Sequence, residues 1–185
     1  VVLEGHTEDI SALKAFTDPA TGEPRLVSGS HDDTVQVWNP AAGGAAIEAE
    51  PEGHSDEVRA LVTFMDPATG ALRVATGSED GTVRVWDAET GVALLVIDVG
   101  LELLALAFFT DPVTGAPRLA CGSFDGKVRV FDPVAGGEAL RVLDGHTSWV
   151  RALAFFTDPA TGAPRLACGS GRKVRVFDPV AGGDA

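Results

Sequence analysis

The sequence predicts an all-β protein built of four similar antiparallel sheets, and three observations lead to this fold class. First, a phrase close to Asp-Pro-Ala-Thr-Gly, then Arg-Leu, Gly-Ser and Val-x-Val-aromatic, occurs four times in 185 residues. Second, each copy consists of short apolar runs separated by turns that contain proline and glycine. Third, the chain is 45% hydrophobic, yet few runs have the period of a helix. Since a repeat of this length cannot bury its own apolar face, neighbouring repeats must stack.

Two landmarks measure the length of the repeat. The Asp-Pro turns follow one another at spacings of 48, 45 and 47 residues and begin at Asp18, Asp66, Asp111 and Asp158. Histidines that follow glycine lie 48 and 92 residues apart, at His6, His54 and His146. The chain is therefore predicted to be a single domain, 1–185, with repeats at about 5–52, 53–98, 99–144 and 145–185.

The last two repeats show how each strand is predicted. Residues 150–156 (VRALAFF) form a first apolar strand, and the polar turn TDPATGAP follows it. Residues 165–170 form a second strand, and residues 173–178 form a third strand after a tight turn. A fourth strand closes the preceding repeat at 140–144. Each repeat is thus predicted to be a four-stranded antiparallel meander.

The charge of the chain argues against a nucleic-acid partner. Acidic residues outnumber basic ones, which gives a net charge of -13, and the 14 basic residues are spread at one or two per strand. Binding to phosphates requires a concentrated cationic surface. We therefore expect no binding of DNA or RNA.

The two cysteines indicate a reducing compartment. Cys121 and Cys168 occupy the same position in consecutive repeats, and stacking holds equivalent positions apart, so we expect no disulfide between them. Buried free thiols are typical of reducing surroundings. With no Lys/Arg-led signal sequence at the start of the chain, a cytoplasmic location is expected.

One apolar stretch, residues 92–109, has the hydropathy of a membrane span. Two acidic residues, Asp98 and Glu102, lie inside it, and its two halves fall on positions that are strands in the other repeats. We therefore interpret it as the last strand of one sheet followed by the first strand of the next, and we expect no membrane partner.

Three motifs recur in phase along the chain. They are a Gly-His pair (Gly5-His6, Gly53-His54, Gly145-His146), a Ser-x-Asp turn (Ser30-His31-Asp32, Ser78-Glu79-Asp80, Ser123-Phe124-Asp125), and Val-x-Val-Trp ending at Trp38 and Trp86. Together they resemble the WD-repeat β-propeller family, over essentially the whole chain. The resemblance implies a β-propeller of four-stranded blades, with four blades per chain.

The resemblance also implies a hydrogen-bonded tetrad of His, Ser or Thr, Asp and Trp within a blade. The residues concerned are His6, Ser28, Asp32 and Trp38 in the first repeat, and His54, Thr76, Asp80 and Trp86 in the second. Ser30 and Ser78 are competing candidates for the hydroxyl. Internal comparison favours Ser28 and Thr76, because cysteine stands at the matching position wherever phenylalanine replaces the tryptophan.

The third and fourth repeats depart from this pattern. The third keeps Asp125 but has no Gly-His pair, and the fourth keeps His146 but replaces the Asp turn with the shorter Gly171-Arg172. Neither can build the tetrad. We expect packing to hold these two blades more than polar networks do, because phenylalanine retains most of the apolar burial of tryptophan.

The sequence predicts no enzyme, cofactor or metal site. Ser, His and Asp could suggest a hydrolase, but they recur at equivalent positions in the first two repeats, which indicates a structural role. The four histidines lack zinc-ligand spacing, and the run 122–127 lacks the spacing of a phosphate-binding loop.

The resemblance implies a partner-binding face formed by the Ser-x-Asp turns and by the loops that join the fourth strand of one repeat to the first strand of the next. Trp149 and Phe124 replace charged or polar residues of the other repeats, so the core pattern does not explain them. The predicted face comprises Trp149, Phe124, Arg151, Arg59, His31 and Glu79. The alternative is that the two aromatic residues cover the third repeat, whose tetrad is broken.

The two ends of the chain are complementary. Residues 1–4 match residues 142–144, so they are predicted to be a closing strand, whereas the fourth repeat has no fourth strand of its own. In the family that it resembles, the first strand completes the last blade and removes exposed edges. We expect two chains to form an eight-bladed ring, each lending its first strand to the other. The alternative is that the chain is half of a longer propeller.

The functional prediction is a non-catalytic scaffold that presents a rigid propeller face to protein or peptide partners. A first alternative is a propeller that binds a small ligand, or hydrolyses one, at a central channel. A second alternative is a recently amplified or engineered array with no dedicated partner, because repeats three and four share the run LAFFTDP-x-TGAPRLACGS.

Overall fold

Consecutive strands of the chain pair into four antiparallel sheets. A computed structural model describes residues 1–19, 21–43, 46 and 53–183. The first sheet contains β1 (Ile10–Thr17), β2 (Pro24–Ser30) and β3 (Val35–Trp38). The second contains β4 (Val58–Met65), β5 (Leu72–Ser78), β6 (Thr82–Asp87) and β7 (Ala93–Asp98). The third contains β8 (Leu103–Thr110), β9 (Pro117–Ser123), β10 (Val128–Phe131) and β11 (Arg141–Leu143). The fourth contains β12 (Val150–Thr157), β13 (Pro164–Ser170) and β14 (Lys173–Phe177).

The number of strands per sheet differs between the middle and the ends of the chain. The second and third sheets have the four predicted strands. The first and fourth have three strands each among the described residues, and a fourth strand of the first repeat would lie at 47–52, outside them. Residues 1–4, predicted to be a closing strand, form no strand here. A closing strand needs a free sheet edge beside it, and β14, the edge that residues 1–4 are predicted to complete, belongs to the last sheet.

The Asp-Pro turns join the first and second strands of each sheet. In the third sheet the carbonyl of Asp111 accepts a hydrogen bond from the N–H of Gly115 at 2.8 Å, and the Asp111 carboxylate accepts one from the N–H of Val113 at 2.9 Å. Gly115 has a φ of 70°, a conformation that glycine adopts without a Cβ clash. The aspartate and the glycine of the repeated phrase therefore set the turn.

The sheets stack in sequence order through their first strands. Each of three hydrophobic cores lies between two consecutive sheets, a contact that we call a joint. Parallel phenylalanine rings stack at two of these joints. Phe64 stacks on Phe108 with ring centroids 4.9 Å apart, and Phe109 stacks on Phe155 at 4.8 Å. Stacking buries the apolar faces that a single repeat exposes, as the repeat pattern predicts.

The apolar stretch 92–109 is divided between two sheets. Its first half forms β7, at the edge of the second sheet, and its second half forms β8, at the start of the third. Among the residues that the structure describes, none belongs to a helix with the length and apolar character that a bilayer crossing requires.

Candidate binding face

The first sheet contains a buried hydrogen-bonded network of four side chains. His6 Nδ1 lies 2.9 Å from an oxygen of the Asp32 carboxylate, and His6 Nε2 lies 2.7 Å from Ser28 Oγ. The indole N–H of Trp38 donates to the same Ser28 oxygen at 2.7 Å. The turn between β2 and β3 supplies the aspartate and the two strands supply the hydroxyl and the indole. The network therefore ties the residues before β1 to the rest of the sheet.

The second sheet repeats this arrangement. His54 Nδ1 lies 2.8 Å from the Asp80 carboxylate, His54 Nε2 lies 2.8 Å from Thr76 Oγ1, and the Trp86 indole donates to Thr76 Oγ1 at 2.8 Å. An indole N–H only donates and a carboxylate only accepts. The arrangement fits a neutral His54 whose Nδ1–H donates to Asp80 and whose Nε2 accepts from the Thr76 hydroxyl.

The two competing hydroxyls lie elsewhere. Ser30 Oγ donates to the carbonyl of Asp9 at 3.0 Å, and Ser78 Oγ donates to the carbonyl of Asp56 at 2.8 Å. Each also accepts a bond from a backbone N–H two residues later in its turn. These serines fix the turns above the first strand, whereas Ser28 and Thr76 contact the histidine and the tryptophan.

Burial and hydrogen bonding set the protonation states in these networks. Burial alone would raise the pKa of Asp32, but bonds from the Thr34 hydroxyl, the Thr7 backbone N–H and His6 together outweigh it and lower the pKa to about 2. Burial is also the largest influence on His54 and lowers its pKa, although Asp80 acts in the opposite direction. Burial raises the pKa of Asp80, but hydrogen bonds from Thr82 and His54 outweigh it and lower that pKa, so the second network pairs an ionised carboxylate with a neutral imidazole.

The lowered pKa of His54 predicts a pH dependence of stability. Above the ordinary value of 6.5, both folded and unfolded states hold a neutral His54, so its contribution is complete. As the pH falls below 6.5, the unfolded state takes up a proton first, and stability is lost down to the folded-state pKa. We expect the wild-type Tm to fall between pH 7 and pH 5, because this group lowers the free energy of unfolding by at most about 1.4 kcal/mol per pH unit. Calorimetry should show a shallower slope for His54→Gln, and an unchanged slope would contradict the assignment.

The third and fourth sheets lack the complete network. In the third, Asp125 turns to Arg129, with a carboxylate oxygen 2.7 Å from the guanidinium. In the fourth, His146 meets the ring of Phe177 edge-on, with centroids 6.1 Å apart. Burial, followed by the charge of Arg175, lowers the pKa of His146. An ion pair thus takes the place of the polar chain in the third sheet, and packing against Phe177 takes its place in the fourth.

The cysteines stand where the first two sheets have their buried hydroxyls. Cys121 and Cys168 are both free and both buried. Burial raises the pKa of both thiols, in Cys168 to about 12, so neither is a thiolate near neutral pH. A buried, protonated thiol behaves as a small apolar side chain.

A β-bulge opens the first strand of every sheet and shapes the predicted binding face. The pairing with the second strand shifts by one residue at this point in each sheet. The residues at the four bulges are Ser11, Arg59, Leu104 and Arg151. A bulge leaves its residue out of the regular ladder and redirects its side chain. Bulge residues and Ser-x-Asp turns therefore meet at one end of the sheets.

An aromatic stack spans the joint between the third and fourth sheets at this end. The rings of Phe124 and Trp149 have centroids 4.2 Å apart and planes inclined by 30°. Trp149 remains 41% exposed despite this contact. The guanidinium of Arg151 lies over the Trp149 ring, 4.7 Å from its centroid. The two aromatic residues thus cover one another and still present the indole to solvent.

A charged cluster occupies the same end at the joint between the first and second sheets. Arg59 Nε donates to Glu79 at 2.6 Å, and an Arg59 Nη atom lies 2.9 Å from His31 Nε2. Arg59 also pairs with Glu57. The structure therefore brings together Arg59, Glu79 and His31 as one group.

A cavity of about 220 Å³ connects the two groups. It is lined by Arg59, Glu79, Leu104, Phe124, Trp149 and Arg151. Sequence reasoning did not include Leu104 or Glu57 in the face. Their positions in the repeat are the signal that could have found them, because Leu104 is equivalent to Arg59 and Glu57 is equivalent to Trp149.

The histidine networks do not have the geometry of a hydrolytic site. The Ser28 and Thr76 hydroxyls, the only candidates for a nucleophile in these networks, belong to fully buried residues. A nucleophile must reach a substrate carbonyl in a cleft. Among the residues that the structure describes, no group of His, Cys, Asp and Glu could hold a metal ion. The exposed chemistry at Trp149 and Arg151 is aromatic and cationic.

Comparison with known proteins identifies the family. The family model described as "WD domain, G-beta repeat" matches residues 1–39, 47–87, 104–132 and 137–178. No curated protein matches the chain. The crystal structure of the computationally designed Ika4 protein is 32% identical, covers 96% of this chain and 95% of its own, and has a TM-score of 0.70. That of the computationally designed Ika8 protein is also 32% identical, covers 100% of this chain and 50% of its own, and has a TM-score of 0.72. The chain belongs to the WD-repeat family, and its four sheets are propeller blades.

Proposed function

We propose that this WD-repeat domain is a non-catalytic scaffold that presents its bulge-bearing face to a protein or peptide partner. The observation that carries the proposal is the exposed Trp149 between Phe124 and Arg151. Tryptophan and arginine are the residue types most enriched at the energetic centres of protein interfaces. A half-exposed indole held by two neighbours loses little side-chain freedom on binding.

The charge at this site favours a partner that brings a carboxylate. Arg151 forms no ion pair within the described part of the chain, whereas Arg59 is paired with Glu57 and Glu79. On a protein with a net charge of -13, an arginine without an ion pair is a site of local positive charge that attracts a carboxylate. An acidic side chain next to an apolar one would satisfy Arg151 and Trp149 together.

Selection of displayed peptides tests this proposal. We expect wild-type protein to enrich peptides whose binding falls at least about tenfold in Trp149→Ala or Arg151→Ala, the size of loss seen at interface centres. Val113→Ala is the matched control, because Val113 is exposed in the Asp-Pro turn at the opposite end of the blade and should leave binding unchanged. Enriched peptides that bind all three variants equally would overturn the proposed face, and turnover of generic esters by the wild type would overturn the non-catalytic role.

A repeat array without a dedicated partner is a second candidate. It is favoured by the near-identity of repeats three and four and by the 32% identity to the designed Ika4 and Ika8 proteins. The same selection separates the two candidates, since an array without a partner should enrich no peptide that depends on Trp149. The buried free thiols support a cytoplasmic location for either candidate.

We also propose that two chains complete an eight-bladed ring. The chain spans half the length of the Ika8 protein. Among the described residues, the first and fourth blades share none of the three hydrophobic cores, so the row of blades is open. The unpaired edge of β14 and residues 1–4 of a second copy could then pair as a closing strand, which removes the open edge.

A further inference from the structure

Each joint within the chain places side chains over a glycine of the preceding blade. A Cβ on the glycine would lie 2.5 Å from Val58 at Gly29, 3.3 Å from Leu106 at Gly77, and 2.7 Å from Val150 at Gly122. These glycines are equivalent in the repeat, and the residues that approach them come from the first strand of the next blade. The absence of a side chain lets the next blade pack directly onto the backbone.

The fourth blade has the same glycine with nothing from another blade above it. A Cβ on Gly169 would meet only Ala152 of its own blade. The first blade has the opposite feature, since Ile10 is 56% exposed although its equivalents Val58 and Val150 are fully buried. Leu13, equivalent to Leu106, is exposed as well. One end of the row thus has an open glycine, and the other end has the side chains of the kind that cover it.

Phe156 shows the same asymmetry. It is 42% exposed, whereas its equivalents Phe64 and Phe109 are buried by the rings of the next blade. The position that those rings occupy, Phe108 or Phe155, is Ala15 in the first blade, and Ala15 is exposed. Phe156 is therefore a joint residue without its neighbouring blade.

We propose that a second copy of this chain supplies that blade, with Ile10 and Leu13 of one copy packed over Gly169 of the other and Ala15 beside Phe156. This inference rests on the proposed two-chain ring and assigns its closing joint. Because the first blade of one copy meets the fourth blade of the other, a two-fold axis produces two identical joints and closes the ring.

The occupant is a second copy because its surface is the matching half of the joint. At the three internal joints, the side chains that lie over the glycine are aliphatic residues from a first strand, Val58, Leu106 and Val150. Strand β1 is the first strand whose joint-forming side chains are left exposed, since within the described part of the chain Ile10 and Leu13 contact no preceding blade. The half-length match to Ika8 gives the same number of blades, two sets of four.

The closing joint differs from two of the internal joints in one testable respect. Phe156 is present, but Ala15 offers no ring to stack on it. Replacing Ala15 with phenylalanine would supply the missing partner of a pair that already exists at two internal joints, with centroids 4.9 and 4.8 Å apart. Because the ring has two closing joints, the gain would occur twice.

Sedimentation equilibrium tests the joint on the intact chain. The wild type is expected at twice the chain mass of 19.1 kDa. Leu13→Glu should reduce the mass to one chain, because it places a charge in an apolar contact. Val113→Glu, which adds the same charge to an exposed turn outside the joint, should leave two chains. Ala15→Phe should tighten the dimer about tenfold or more, from two added aromatic pairs.

The outcomes separate the joint from the ring. A wild-type mass of one chain would overturn both the ring and the joint. A wild-type dimer that persists in Leu13→Glu, or that Ala15→Phe weakens or leaves unchanged, would overturn this joint alone and leave the two-chain assembly standing. A melt of Leu13→Glu as cooperative as that of the wild type shows that the variant is folded and that its lower mass reflects dissociation. If its melt is broad and non-cooperative, the dimer affinity of Ala15→Phe is the measurement that tests the joint.

Discussion

Replacing Trp86 with alanine is expected to lower the free energy of unfolding by about 3–5 kcal/mol. Trp86 is buried in the core between the first and second blades, and its indole N–H donates to Thr76. Alanine removes the largest side chain of this core and leaves a cavity. It also removes the donor at the start of the chain of hydrogen bonds that ends on Asp80. Urea unfolding followed by circular dichroism measures the change.

The third blade provides a matched control for this substitution. It combines Phe131 and Cys121 at the positions of Trp86 and Thr76. Trp86→Phe should cost less than Trp86→Ala, because the ring continues to fill most of the space. The free energy of unfolding lost in the double variant Trp86→Phe, Thr76→Cys should differ from the sum of the losses in the two single variants, because the two side chains are hydrogen-bonded to one another. A loss below about 1 kcal/mol for Trp86→Ala would contradict the assigned role of this core.

Replacing Phe109 with alanine is expected to cost about 3–5 kcal/mol as well. Phe109 is buried at the joint between the third and fourth blades, where it stacks on Phe155. The substitution removes both the stacked pair and the apolar area between the two sheets. Blades three and four have no complete polar network, so this joint carries a large share of their stability.

Phe156→Ala is the control for Phe109→Ala, because the two residues are equivalent in the repeat but only Phe109 is covered by a next blade. Both variants are best measured in the Leu13→Glu background, where a single chain is expected. There, Phe156→Ala should cost less than about 1 kcal/mol, because its ring is half exposed and no next blade covers it. Equal losses from the two substitutions would show that joint packing is not what stabilises the fourth blade.

The repeat made much of the fold predictable from the sequence. Four copies of one phrase show which residues are equivalent, and this equivalence located the strands and the turns. It also showed that Cys121 occupies in the third repeat the position that Ser28 occupies in the first. The same reasoning predicted that the fourth repeat has no fourth strand of its own, and the described part of the fourth sheet has three strands. Residues 1–4 form no strand because the edge that they match lies at the far end of the row of blades.

Contacts across the joints could not be predicted from the repeat. The approach of Phe124 to Trp149 and that of Arg59 to His31 depend on how two sheets are placed, and no periodicity within one sheet contains that information. Glu57 and Leu104 are a different case, because their equivalence to Trp149 and Arg59 in the repeat was available from the sequence. The sequence could indicate that Trp149 was unusual, but the stacking that holds it half exposed required the structure.

The bulge at the start of each first strand separates the proposed recognition surface from the strand pairing that stabilises each blade. Ser11, Arg59, Leu104 and Arg151 differ in size and charge, yet the strands that follow them pair in the same register. Each position therefore accepts exchange without altering the pairing on either side. Four such interchangeable positions, spaced one per blade, make this surface suitable for combinatorial redesign in which specificity changes while the scaffold remains constant.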